Sequence, residues 1–511
     1  MIVFREAGAA ISLSRSSVSH AFLIAGPAAA APSLGATVRL AEVIGALTYA
    51  LDLTEGQRPG HTLRTTLIAM RLAEQHGLDS EALGAMYYAA LLKDSGCSSN
   101  AARMAALFGS DDQDLKRNMR LVDWHDRWKL AMRTAMSCGV GLDPFARIRH
   151  FLMVARTPSL TREIIQTRCE RGAQIANVLG FPAATSDAIL HVDEHWCGFG
   201  HPFGIAGHDI PMLSRILLLA QTVEAYWSEH GIGGALDMAR ARRGKWFDPS
   251  LVDLLLTWRT DAGWWSALAD RDRLDEAVVA LEPGGVPMVA TDERLDRIAF
   301  AFAAVIDAKT PFTARHSTNV ARYAVGIFNV LGADAHATRD ILRAGLLHDI
   351  GKLGVSNRIL DKPAKLTDEE FAEIRKHPQW TLEILQHVGA FQHFAAEAAR
   401  HHERLDGRGY PWRLPAEQLS TSARVLAVAD VYEALTANRP YRDGLPVAKV
   451  VDIMARDRGT AFDATVFDAA VALAEQGSFA ALAEVTEDGF EPLRQLAPTA
   501  GAGSSNGAAA A

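Results

Sequence analysis

Apolar and polar positions along this chain recur with a helical period. Ahead of Gly351, the apolar positions Ile341, Ala344 and Gly345 lead at helical spacing onto His348, and Leu342 and Leu346 lead likewise onto Asp349. A core-facing helix end therefore delivers a His-Asp pair. Residues 423–435, ARVLAVADVYEAL, are apolar on nearly every side, the pattern of a buried helix, yet they carry Asp430. Thr367 followed by Glu370 reads as a capping box that starts a helix through Phe371 and Ile374. Convincing period-two segments are missing, so the fold class is all-α.

The pattern also repeats. His61 precedes LLKDSGCSS (91–99) as His316 precedes LLHDIGKLG (346–354), and 61 to 93 and 316 to 348 are both 32 residues. DEHWCGFGHP (193–202) lies against HERLDGRGYP (402–411), and Pro202 to Gln221 and Pro411 to Asp430 are both 19 residues. RGKWFDPSLVD (243–253) echoes RGTAFDATVFD (458–468). Several anchors at matching spacing indicate a tandem duplication. The first copy carries about 47 extra residues between Cys97 and Cys169. The expected organisation is a disordered leader (1–35), a first copy (36–265), a linker (266–292) containing LEPGGVP, a second copy (293–478) and a low-complexity tail (479–511). The leader contains AFLIAGPAAAAP (21–32), which reads as a disordered or mis-called start rather than a working signal peptide.

Composition narrows the partners. The 511 residues suffice for two or three domains, and 49% hydrophobic with 22% charged residues is ordinary for a soluble globular chain. A net charge of −8 without a basic stripe argues against a nucleic-acid polymer as partner, while leaving room for a locally basic anion pocket. No run of 18 apolar residues predicts a membrane span. The four cysteines, none beyond residue 197, form no disulfide framework, and a reducing cytoplasm is the expected location.

Eight of the 18 histidines fall between residues 316 and 402. A single buried histidine is more often a hydrogen-bonded core residue than a ligand. His316, His348, His377, His401 and His402, together with Asp349 and Asp430, are another matter, because they are delivered to helix ends or into a buried helix. An unpaired carboxylate at Asp430 would cost several kcal/mol, and a metal ion would satisfy it and several imidazoles together. His336, His387 and His393 match no pattern and are read as surface or core residues.

His316, His348-Asp349, His377, HHE at 401–403, GYP at 409–411 and Asp430 together resemble the HD-GYP family, a branch of the HD metal-dependent phosphohydrolases. The resemblance covers about residues 293–478. It implies two HD-type helical domains in tandem, with hydrolysis of cyclic di-GMP to the linear dinucleotide and sometimes on to GMP. It makes His316, His348, Asp349, His377, His401, His402 and Asp430 metal ligands, with Asp349 bridging two divalent ions, often iron or manganese. Some members add a glutamate four residues before the first histidine; Phe312 stands there, which implies two metals rather than three. Mixed His and carboxylate ligands also suit Fe or Mn better than magnesium. Paired cations would activate water and neutralise the phosphodiester, with Asp349 and Lys352 as the catalytic pair. By the same resemblance Lys352, Arg439 and Arg442 hold substrate phosphates. Glu403 is expected to orient a ligand imidazole, with a structural acid as the alternative. Asp406, Gly407, Gly409, Tyr410 and Pro411 form a bend beside the substrate mouth, with Gly407 and Gly409 able to take positive φ.

The same pattern laid on the first copy finds His61 and Asp94 retained. Lys93 replaces the HD histidine, Cys169 falls opposite His377, Val192 and Asp193 take the double-histidine positions, and Gln221 replaces the aspartate. Lys93 places positive charge where a cation would sit, so this copy is expected to be inactive and kept for regulation, dimerisation or nucleotide sensing. His191, His195, Cys197 and His201 could bind zinc, but their spacing follows no structural zinc pattern, and a remnant of a former site is the preferred reading. The expected whole is a cytoplasmic cyclic di-GMP phosphodiesterase, with a homodimer and signalling-protein partners possible. Its rivals are a phosphohydrolase for another cyclic dinucleotide or phosphoester, and a cyclic di-GMP receptor or scaffold without turnover.

Overall fold

The computed structural model describes residues 38–157, 159–283, 288–311, 315–438 and 443–479. Among them every regular element is a helix, and β contacts are limited to three isolated bridges, as the sequence pattern predicts. Thr367 caps helix Asp368–Ile374 through the expected box: its hydroxyl accepts from Glu370 N at 3.2 Å, and the Glu370 carboxylate accepts from Thr367 N at 2.8 Å. The leader and the chain from residue 480 lie outside the described residues.

Both copies are built by the same local devices. Helix Leu40–Thr54 leads into helix His61–His76, and helix Asp292–Asp307 leads into helix His316–Val330. Each junction is tied by a buried aspartate. Asp52 accepts from Thr62 N and Oγ1 at 3.0 and 2.6 Å, and Asp307 accepts from Ser317 N and Oγ at 3.2 and 2.7 Å. Helices Ser80–Leu92 and Ala335–Leu347 start on the side chains of Asp79 and Asp334 and end at Lys93-Asp94 and His348-Asp349. Near the C-terminus of each copy the ion pairs Arg215–Asp248 and Arg424–Asp463 recur at 2.7 and 2.8 Å.

Two glycines reveal how the copies align. A Cβ on Gly351 would lie 2.0 Å from the His377 carbonyl and 2.8 Å from Thr381 N; one on Gly96 would lie 2.0 Å from the Arg168 carbonyl and 2.6 Å from Gly172 N. Arg168, not Cys169, therefore stands where His377 stands in the second copy. The expected Cys169 match is off by one residue because the insertion leaves no sequence anchor between Cys97 and the helix Leu160–Val178.

The two copies share one apolar core, which runs from Leu47, Leu51 and Tyr87 to Phe302, Leu346 and Phe391. Polar contacts cross the junction as well: Gln113 Nε2 donates to Leu353 O at 3.2 Å, and Asn357 N donates to Asp112 Oδ1 at 2.9 Å. The segment read as a linker contains helix Leu274–Ala280, whose Leu274 and Val278 are buried. Tyr87 Oη donates to Val278 O at 3.1 Å and Tyr88 Oη to Glu282 at 2.7 Å, so this stretch is packed rather than free. The 3₁₀ turn Ile350–Gly354 reaches helix His377–His387 only because Gly351 has no side chain. Gly351→Ala should cost about 1–3 kcal/mol through overpacking, read as a lower urea midpoint with unchanged slope.

Candidate metal centre

Several separate elements deliver the predicted residues to one place. His316 opens helix His316–Val330, His348 and Asp349 follow helix Ala335–Leu347, and His377 opens helix His377–His387. His401 and His402 follow helix Gln392–Ala399, and Asp430 lies within helix Thr421–Thr436. Their candidate ligand atoms form two groups, each with its atoms within 4.8 Å of one another: Asp349, His377, His401 and His402 in one, and His316, His348 and Asp430 in the other.

Asp349 joins the two groups. Its Oδ2 lies 3.4 Å from His316 Nε2 and 3.3 Å from His348 Nε2, while its Oδ1 lies 3.3 Å from His377 Nε2 and 3.6 Å from His401 Nε2. Asp430 lies 3.4 Å from His316 Nε2 through one oxygen and 3.7 Å from His402 Nδ1 through the other.

The histidines are oriented by their remote nitrogens. Nδ1 of His348, His377 and His401 each donates to the carbonyl three residues earlier, at 2.6, 2.7 and 2.7 Å. With Nδ1 protonated, each Nε2 turns a lone pair to the site. Burial holds His377, His401 and His402 below the usual imidazole range, which favours that neutral form. Burial also disfavours charge on His316, but hydrogen bonds to Asp349 and Glu433 outweigh it and push this ring up to about 10. The same field that holds a proton there would hold a metal ion. For Asp349 burial works against ionisation, yet Lys352 and His348 keep its carboxyl well below the ordinary range. Buried His348 Nε2 and Asp349 Oδ1 have no hydrogen-bond partner within this structure, so the donor set fits cations placed between its two groups.

Lys352 Nζ lies 2.5 Å from Asp349 Oδ2 at the partly exposed edge of the cluster. Tyr410 stacks on His402, with centroids 4.7 Å apart and planes at 30°, and Arg375 lies 5.2 Å from the tyrosine ring. Arg439, Arg442 and Phe312 lie outside the described residues.

Two sequence expectations need correction. Glu403 orients no imidazole: its carboxylate accepts from the backbone N–H groups of Trp412, Arg413 and Leu414 at 2.8, 3.1 and 3.0 Å. Glu194 does the same job in the first copy, accepting from Phe203 N at 2.6 Å and Gly204 N at 3.0 Å. Gly407 takes φ of 68°, as expected, but Gly409 has no positive φ; it is required because a Cβ would meet Glu403 Cα at 2.5 Å. Asp406 meanwhile pairs with Arg404 at 2.9 Å, and Pro411, like Pro202, follows a cis peptide.

Sequence reasoning missed Glu433, whose carboxylate lies 2.5 Å from His316 Nδ1. A signal existed: Glu224 follows Gln221 by the same three residues that separate Glu433 from Asp430, and it pairs with His61 Nδ1.

In the first copy the corresponding space is filled by side-chain cations. Lys93 Nζ lies 3.2 Å from His61 Nε2 and pairs with Asp94. Arg120, from the insertion, reaches His61 Nε2 at 2.7 Å, Glu55 at 2.7 Å and Asp94 at 3.0 Å. Arg168 pairs with Asp193. Glu55, Asp94 and Cys97 do bring ligand atoms within 4.8 Å of one another, but Lys116 and Arg120 already pair with Glu55. The zinc reading gains nothing: among the described residues no three of His191, His195, Cys197 and His201 converge, and His195 stacks on Trp246 at 4.0 Å instead.

A helical bundle that gathers histidines and a His-Asp pair around one buried carboxylate has the make-up of an HD-type domain. The chain belongs to the HD-domain family, in its HD-GYP branch: the HD domain profile matches residues 115–251 and 301–466. Among similar proteins, a 3′3′-cGAMP-specific phosphodiesterase of Vibrio cholerae is 39% identical over 434 residues, covering 85% of this chain and 94% of the relative. A cyclic di-GMP phosphodiesterase of Pseudomonas aeruginosa is 42% identical over 161 residues, 31% of this chain and 39% of the relative. A crystal structure of a cyclic GMP-AMP-specific phosphodiesterase of V. cholerae superposes with a TM-score of 0.60 at 35% identity, covering 86% of this chain and 98% of that one.

The two glutamates should separate by experiment. Glu433→Gln should weaken metal binding by about 10–100-fold, measured by equilibrium dialysis with Mn²⁺, with little change in thermal unfolding. Glu403→Gln should instead cost about 1–3 kcal/mol of stability by weakening three part-buried backbone hydrogen bonds, measured by urea unfolding.

Proposed function

We propose that this protein is a metal-dependent phosphodiesterase for cyclic dinucleotides, acting through its second copy. The observation that carries this reading is Asp349, whose two oxygens face separate groups of histidines. His316, His348 and Asp430 would hold one divalent ion and His377, His401 and His402 the other, with Asp349 shared. Iron or manganese fits the mixed nitrogen and oxygen donors. When bound, the ions would supply Lewis acidity for water and charge neutralisation for the phosphodiester.

The chain's own residues contribute the rest. Glu433 and the three backbone carbonyls fix the imidazole tautomers. Lys352, at the partly exposed edge, exchanges its contact with Asp349 for a substrate phosphate oxygen. Arg439 and Arg442, nine and twelve residues after Asp430, take the second phosphate. Tyr410, held against His402, forms one wall of the mouth. The first copy does not hydrolyse substrate, because Lys93, Arg120 and Arg168 supply the positive charge that metals supply in the second.

Cyclic di-GMP is the substrate expected from the family resemblance. The relative that spans nearly the whole chain is named for 3′3′-cGAMP, and this favours the mixed dinucleotide as the better substrate of the two. Protein loaded with Mn²⁺ or Fe²⁺ should linearise 3′3′-cGAMP faster than cyclic di-GMP when digests are separated by chromatography. Asp349→Ala should lower the rate at least a thousandfold. No product from either dinucleotide with any of several metals, alongside calorimetric binding, would instead identify a receptor.

A further inference from the structure

Above the cation-filled centre of the first copy lies a cavity of about 750 Å³, within the range of small-molecule sites. The insertion unique to this copy builds most of its wall. Met104, Phe108, Leu130, Val154 and Ile164 line it from four helices: Ala101–Phe108, Arg127–Ser137, Pro144–Ala155 and Leu160–Val178. Trp124 and Trp246 close one side, their ring centroids 5.3 Å apart. The lining also carries four cations, Lys116, Arg120, Arg127 and Arg168, beside the carboxylates Glu55 and Asp193 and neutral polar groups such as Thr134, Thr161 and Gln221. Lys116, Arg120 and Arg168 pair with Glu55, Asp94, Asp112 and Asp193, whereas Arg127 makes no ion pair among the described residues.

The geometry points to a binding site for an amphipathic anion, with its acidic head toward Arg120, Arg168 and Lys116 and its apolar body against the insertion. The basic end already has its internal partners, and they hold it in place. Arg120 is fixed by Glu55, Asp94 and His61, and Lys116 by Glu55 and the carbonyls of Thr54 and Cys97 at 3.2 and 3.0 Å. Such a preorganised cluster accepts an anion without first ordering its side chains. Trp124 and His201, on the wall, each keep a buried ring nitrogen without a hydrogen-bond partner in this structure. A nucleotide is the less favoured occupant. Ribose hydroxyls and base edges set against methionine, leucine, valine and isoleucine would lose water without gaining partners. A carboxylate, sulfonate or phosphate head on a hydrocarbon body meets both halves of the cavity.

The test uses full-length protein freed of lipid, dodecanoate as the probe and 5′-GMP as the comparator, read by titration calorimetry and by tryptophan fluorescence. Dodecanoate should saturate one site per chain and change the emission, because Trp124 and Trp246 line the cavity. Thr134→Trp and Thr161→Trp, two independent substitutions at half-buried or exposed lining positions, should each weaken binding at least tenfold. Arg127→Glu should weaken it several-fold. The outer face of helix Arg127–Ser137 exposes Trp128, Met132 and Met136, and adventitious binding there would survive both tryptophan substitutions. Survival in both variants, absence of saturable dodecanoate binding, or saturation by GMP but not by dodecanoate would each overturn the assignment.

Discussion

An ionised carboxylate buried at the end of a helix sets the terms for the second copy. Asp349 is 1% exposed, and removing such a charge from water costs several kcal/mol unless positive partners surround it closely. Lys352 alone cannot serve both oxygens, since its ammonium lies against Oδ2. Cations held between the two groups would serve both, and the imidazoles that converge from other segments turn toward Asp349 the nitrogens that would hold them. The carbonyl hydrogen bonds to Nδ1 and the Glu433 contact are consequences of that demand. So is Gly351, which lets the turn after Asp349 press against the helix that begins with His377.

The first copy solves the same electrostatic problem differently. Asp94 occupies the equivalent helix end and is also buried, and here burial is outweighed by Lys93, Arg120 and His61, which hold its carboxyl far below the usual range. A guanidinium is a permanent cation with several directed donors, so Arg120 can pair with Glu55 and Asp94 at once. The frame around this exchange is unchanged: the aspartate at the helix junction, the glutamate on the histidine, the glutamate in the bend and the close-approach glycine all recur. Structural devices and ligand identity are thus separable in this fold. The bend that carries Gly407 and Gly409 belongs to the frame, which explains why its skeleton is present in a copy without the double histidine.

What could be read from the sequence divides along the same line. His348-Asp349, the paired histidines and Asp430 were legible because imidazoles and a carboxylate set into apolar helical patterns are costly to bury unless something binds them. The Thr367 cap was legible because it is made by residues three apart. Glu433 was not, since a single glutamate on a helix is ordinarily a solvated charge and its contact with His316 spans 117 residues. The imidazole-orienting role expected of Glu403 failed for a related reason: its neighbours in sequence are candidate ligands, but its partners are backbone amides nine to eleven residues later. Arg120 lies in an insertion without a counterpart, so no comparison between the copies could place it beside His61. The same insertion hid the register that sets Arg168 opposite His377.

The copies are not beads on a string. Asp112, in the insertion of the first, accepts from the backbone of Asn357 in the second, and the buried ammonium of Lys309 lies 3.9 Å from its other oxygen. Lys309 is 1% exposed, and burial lowers its pKa, which Asp112 partly offsets from across the junction. Asn357 also donates to Lys309 O at 2.6 Å, which binds these residues into one polar seam within a continuous apolar core. Separating the copies would expose that core and take Asp112 away from Lys309 and from the backbone of Asn357. Either half alone would therefore carry a penalty that the intact chain does not. The second copy's site lies close to this seam in sequence, since Lys309 precedes His316 by only seven residues. The first copy thus acts as a packing partner of the second whatever else it binds, which is a physical reason for the two to remain attached.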